Sequence, residues 1–127
     1  MKKILLIEDE SSLQKTFREV LEREGFEIMS ALDGEIGIRL AKEKKPDLVL
    51  LDLVIPKING LEVLKALKED AQTKTIPVIV LTNLEGVDIV DKALELGATT
   101  YLVKSVYTLE EIVEKIKNAL GGIKENQ

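Results

Sequence analysis

Five short strand-like runs punctuate the chain, at Lys3–Ile7, Glu27–Ala31, Leu48–Asp52, Val78–Thr82 and Thr100–Val103, and the segments between them carry apolar residues at helical spacing. Runs such as Ile4-Leu5-Leu6-Ile7 and Leu48-Val49-Leu50-Leu51 are continuously aliphatic, with no alternation of apolar and polar positions. Strands of that kind are buried on both faces, which is the condition of parallel strands covered by crossover helices. The expected class is therefore α/β, a doubly wound parallel sheet of five strands and five helices.

The intervening segments supply the helices. The first is expected after Ser11, where Leu13, Phe17, Val20, Leu21 and Glu24 recur at helical spacing and Gly25 is placed to cap the end. Asp33-Gly34 opens the second, Ile36, Leu40 and Ala41 face inward, and Lys44-Lys45-Pro46 stops it. Leu61, Val63, Leu64 and Leu67 mark a third helix that ends within Glu69–Thr75, and Ile89, Val90, Ala93 and Leu94 a fourth that Gly97 caps. Thr108 and Glu111 have the spacing of a capping box ahead of the stripe Leu109, Ile112, Val113, Ile116 and Leu120. Gly121-Gly122 ends that stripe, so one domain at 1–122 with a short polar tail at 123–127 is expected.

Composition narrows the chemistry. The 127 residues include no Cys and no His, which excludes disulfides, zinc sites of the usual donors, thiol nucleophiles and histidine acid-base catalysis. A net charge of -5 disfavours nucleic acid and anionic membranes as partners. The four-residue apolar run after Met1-Lys2-Lys3 is too short for a signal peptide, and no run approaches a membrane span, so a cytoplasmic location is expected.

What remains is carboxylate, hydroxyl and ammonium chemistry, and it falls at strand ends. Asp52 closes the third run, Glu8 and Asp9 close the first, Thr82 closes the fourth, and Lys104 follows the fifth. Open α/β sheets bind ligands outside the carboxyl ends of their strands. Three acids meeting there repel one another unless a proton or a hard divalent cation neutralises them, and oxygen donors suit Mg²⁺. With a lysine and a hydroxyl opposite, this inventory can move a phosphoryl group onto a carboxylate, since an ionised Asp is already a nucleophile. Each residue also has an ordinary structural explanation. Asp52 could form an Asx turn, Glu8 and Asp9 could cap a helix, Thr82 could be a plain strand residue, Lys104 a solvated charge and Tyr101 a packed aromatic.

Taken together, Ile4-Leu-Leu-Ile-Glu8-Asp9, Asp52-Leu-Val-Ile-Pro56-Lys-Ile-Asn-Gly60, Pro77-Val-Ile-Val-Leu-Thr82 and Gly97-Ala98 leading to Tyr101-Leu-Val-Lys104 resemble the receiver domain of two-component response regulators, in its single-domain chemotaxis-regulator form. The resemblance covers essentially the whole chain. It implies a flavodoxin-like sheet of order 2-1-3-4-5, with Asp52 as phosphoacceptor. It implies Mg²⁺ held by Asp9, Asp52 and the main-chain carbonyl of Val54, with Glu8 acting mostly through metal-bound water. Thr82 and Lys104 would bind phosphoryl oxygens, and movement of Thr82 would let Tyr101 turn inward, altering the face built by the fourth helix, fifth strand and fifth helix. The implied partners are a histidine kinase or phosphotransfer protein and a downstream protein target, with the chain itself a monomer or weak dimer. By that reading it is a signalling domain and not an enzyme, beyond phosphorylating and dephosphorylating itself.

Three positions depart from the family's usual pattern. Glu8 stands where Asp is usual, Asn83 where a small residue is usual, and Ser105 where Pro normally holds a cis bond; a cis bond before Ser costs about 3 kcal/mol. Val54 and Leu84, two residues after Asp52 and Thr82, are apolar where the resemblance implies a path for water. A non-switching scaffold of the same fold is one alternative function. A small Mg²⁺-dependent phosphohydrolase is another, disfavoured by the lack of a glycine-rich phosphate loop.

Overall fold

Aliphatic strands with both faces apolar need cover on both sides, and the chain supplies it by alternating strand and helix throughout. The computed structural model describes residues 1–121; Gly122 and the expected tail at 123–127 lie outside the described residues. The strands are β1 (Lys3–Ile7), β2 (Glu27–Ala31), β3 (Leu48–Leu51), β4 (Val78–Thr82) and β5 (Thr100–Val103). The helices are α1 (Ser11–Arg23), α2 (Gly34–Lys44), α3 (Gly60–Glu69), α4 (Val87–Glu95) and α5 (Leu109–Ala119). All neighbouring strands are parallel, in the order β2-β1-β3-β4-β5 that the resemblance implies.

Side chains alternate across the sheet, and this divides the core in two. Leu5, Ile7, Val49, Leu51, Val78 and Val80 pack on one face against Ala41 of α2, Val63, Leu64 and Leu67 of α3, and Ala93 of α4. Ile4, Leu6, Leu48, Leu50, Ile79 and Leu81 face the other way, against Phe17 and Leu21 of α1 and Ile112, Val113 and Ile116 of α5. The strands of the sheet's centre are fully enclosed, as their unbroken apolar sequence requires.

Local chemistry sets the helix ends. Asp33 accepts from Ile36 N–H at 2.9 Å and Asn59 from Glu62 N–H at 3.1 Å, each satisfying an otherwise orphan donor. The capping box forms as its spacing predicts: Thr108 Oγ1 accepts from Glu111 N–H at 3.1 Å, and Glu111 accepts from Thr108 N–H at 2.8 Å. Two boundaries differ from expectation. The first helix starts at Ser11 itself, with Glu10 as N-cap. Strand β3 stops at Leu51: Asp52 N–H still donates to Ile7 O of β1 at 3.0 Å, but its Oδ1 accepts from Val54 N–H at 3.1 Å, and the chain leaves the ladder after it. Every peptide bond among the described residues is trans, including Lys104–Ser105.

Candidate functional site

Register converts sequence into a site. Ile7 pairs with Leu51, Leu51 with Val80, and Thr82 with Val103, so the residues that follow β1, β3, β4 and β5 emerge side by side at one sheet edge. Glu8, Asp9, Asp52, Val54, Thr82 and Lys104 line a single open cleft there of about 360 Å³, together with Glu10, Asn83 and Leu84. Tyr101 stands beside the cleft on β5, half-buried, and its hydroxyl donates to Leu84 O at 2.9 Å.

The centre of the cleft is an ion cluster. Lys104 Nζ lies 2.6 Å from Glu8 Oε1 and 2.8 Å from Asp52 Oδ2. Glu8 is 3% exposed and Asp52 7%, so both carboxylates are withdrawn from water and must be compensated locally. The second oxygen of each is also engaged, Glu8 Oε2 by Glu10 N–H at 3.1 Å and Asp52 Oδ1 by Val54 N–H. Asp9 is exposed at the rim, with a carboxylate oxygen within 4.8 Å of those of Glu8 and Asp52.

These environments shift proton affinities in ways that follow from the geometry. Burial is the largest influence on Glu8 and raises its pKa above the ordinary 4.5; the nearby Asp52 charge adds to the rise, while Lys104 and Glu10 N–H oppose it. Burial works against the Lys104 ammonium, but its hydrogen bonds to Asp52 and Glu8 outweigh that cost and hold its pKa above the ordinary 10.5. Tyr101 also titrates above its ordinary 10.0, first through burial and second through the charge on Asp52.

Three carboxylates against one ammonium leave an excess of two negative charges, which matches the charge of one divalent cation. The donors are all oxygens, the chemistry that hard cations prefer. Thr82 is fully buried at the cleft wall, and its Oγ1 accepts a long 3.4 Å bond from Leu84 N–H.

A family model for the response regulator receiver domain matches residues 4–117. The chain belongs to that family. Receiver domains are signalling modules of two-component systems, phosphorylated on an aspartate. The uncharacterized transcriptional regulatory protein YcbL of Bacillus subtilis is 40% identical over 118 residues, which are 91% of this chain and 50% of that protein, so the chain spans half of that relative's length. The polar-differentiation response regulator DivK of Brucella anthropi is 33% identical over 120 residues, 94% of this chain and 97% of DivK. Among solved structures, the Vibrio cholerae chemotaxis protein CheY4 superposes with a TM-score of 0.87 at 26% identity, covering 94% of this chain and 98% of that one. Among the described residues of this receiver domain, no helix is long and apolar enough to cross a membrane.

Sequence reasoning missed one part of the receiver site. Gln14 of α1 donates from Nε2 to Glu8 O at 2.7 Å and to Ala31 O at 3.0 Å, tying the exit of β1 to that of β2 and holding the main chain that carries Glu8 and Asp9. A Gln near a helix start has no distinguishing pattern, so only the fold reveals its role. Gly60 is held by close approach: a Cβ there would lie 2.3 Å from Leu53 Cα and 2.7 Å from Asp52 O. Gly60 opens α3, and its N–H donates to Leu53 O at 2.9 Å, so the helix start lies directly against the segment that carries Asp52.

Proposed function

We propose that residues 1–122 form a phosphorylation-controlled switch in which Asp52 accepts a phosphoryl group from a histidine kinase or histidine phosphotransfer protein. The observation that carries this reading is the buried Asp52 carboxylate, paired at 2.8 Å with Lys104 and sharing its cleft with Glu8 and Asp9. An ionised carboxylate needs no general base, so what the site must supply is charge neutralisation and alignment. The Asp52 oxygen forms its bond to phosphorus as the bond to the donor imidazole breaks. Lys104 and Thr82 hold the transferred oxygens.

The excess negative charge and oxygen donors fit Mg²⁺, which Asp9, Asp52 and the Val54 carbonyl would hold, with Glu8 contributing through water. Bound there, the ion would neutralise charge building on the phosphoryl oxygens. Thr82 and Tyr101 serve as the switch, and the output surface is α4, β5 and α5, read by a downstream protein in the cytoplasm. In this reading the chain catalyses nothing beyond gain and loss of its own phosphoryl group.

The test is incubation with Mg²⁺ and acetyl phosphate, followed by intact-mass analysis. Wild type should gain one acid-labile phosphoryl group and Asp52→Asn none, because an amide is neither nucleophile nor anionic ligand. Undiminished labelling of Asp52→Asn would sink the assignment.

A further inference from the structure

Three consecutive residues leaving β4 are each tied to β5 or its exit. Thr82 O accepts from Lys104 N–H at 2.8 Å, Asn83 Oδ1 from Ser105 N–H at 3.1 Å, and Leu84 O from the Tyr101 hydroxyl at 2.9 Å. The middle link joins the two positions that stand out separately in the sequence, Asn83 and Ser105. A turn closed by Val106 N–H to Val103 O at 3.0 Å spans Lys104 and Ser105 and makes no use of the Ser105 N–H itself. The carboxamide of Asn83 supplies the acceptor which that donor would otherwise find in water.

The consequence falls on Lys104. A peptide unit is planar, so the backbone has only two soft dihedrals per residue. The plane before the Lys104 Cα is held by Thr82 O, and the plane after it by Asn83 Oδ1. With both planes held, the Cα–Cβ direction is set, and the side chain starts on the course that ends between Glu8 and Asp52. Asn83 itself is exposed and, among the described residues, makes no hydrogen bond with either carboxylate, so the link to Lys104 that the structure shows runs through the main chain.

We propose that Asn83 is a positioning residue for phosphoryl transfer, which acts by anchoring the Ser105 N–H and thereby aiming Lys104 at Asp52. This rests on the reading of Asp52 as phosphoacceptor. One hydrogen bond of this kind corresponds to about a two- to tenfold change in rate. Asn83→Ala should therefore slow phosphorylation by acetyl phosphate by that factor at saturating Mg²⁺, with the half-saturating Mg²⁺ concentration unchanged. The same loss should appear in a Ser105→Ala background, which keeps the N–H. It should vanish in a Ser105→Pro background, which has none. Independently of how the proline variant folds, Asn83→Ala should move the NMR signals of the Lys104 side chain.

An Asn83→Ala effect of equal size in all three backgrounds, a wild-type rate in Asn83→Ala, or unmoved Lys104 signals overturns the proposal while leaving Asp52-dependent labelling intact. Labelling that persists in Asp52→Asn is a different failure: it removes the phosphoacceptor assignment and this inference with it.

Discussion

Replacing Lys104 by Met keeps the length of the side chain and deletes its charge, and the structure sets the scale of the result. At an effective dielectric near 20, contacts of 2.6 and 2.8 Å each represent about 6 kcal/mol of gross attraction. Desolvation of the ammonium and of two carboxylates offsets much of that, and removal of one partner from a buried pair costs about 3–5 kcal/mol. Side-chain exposures of 16% for Lys104, 4% for Glu8 and 9% for Asp52 justify treating this as a buried cluster. Since single domains are stable by only about 5–15 kcal/mol, a large share of total stability is at stake. The loss should be greatest near neutral pH in chelator. It should shrink in acid, where the Glu8 carboxyl, whose proton affinity burial raises, takes up a proton and no longer needs a counter-charge, and shrink again when millimolar Mg²⁺ supplies the missing positive charge. Urea unfolding under these three conditions gives the measurement. A Lys104→Met protein as stable as wild type at pH 7 without Mg²⁺, or one whose deficit does not respond to Mg²⁺, refutes the electrostatic account of the cleft.

Val54 is 59% exposed and Leu84 39% exposed at the same cleft, and neither can orient a water. Val54→Asn combined with Leu84→Glu should speed loss of the phosphoryl group on the order of tenfold in excess Mg²⁺, and equal decay of wild type and variant would remove the idea of an apolar gate. Gly60→Ala places a Cβ against the main chain of Leu53 and Asp52, so it should cost about 1–3 kcal/mol in thermal or urea unfolding and also slow phosphorylation. Tyr101 should titrate above 10.0 by NMR of its ring carbons, and Asp52→Asn should lower that value without restoring it fully, because burial is the larger cause. A folded-state pKa raised in this way contributes stability below pH 10.0 that is lost as pH rises through the Tyr101 value; a phenol that ignores Asp52→Asn counts against proximity of the two groups.

The positions of strands and helices were legible because their signals are local. Four of the five predicted strands have the observed bounds, and β3 differs by the single residue Asp52, whose N–H still donates to Ile7 O while its side chain accepts from Val54 N–H as the chain leaves the ladder. Thr108 and Glu111 could be read as a capping box because both partners lie within one helical turn. The membership of the cleft was legible as well, since strand-terminal residues of parallel neighbours must emerge at one edge. The strand order was not: it came from the resemblance and not from any periodicity.

Sequence alone thus determined the class of fold, the segments that build it, and the restriction of its chemistry to carboxylates, a hydroxyl and an ammonium. Tertiary structure decided who holds whom. Lys104 and Glu8 are 96 residues apart, and their 2.6 Å contact exists because β1 lies beside β3, β3 beside β4 and β4 beside β5, the strand that Lys104 follows. Gln14 finds two carbonyls on different strands, and Asn83 and Ser105, 22 positions apart, become one hydrogen bond. Periodicity reports which side of an element faces the core, whereas a hydrogen bond between distant segments depends on strand adjacency and register, and these are fixed only when the whole sheet packs.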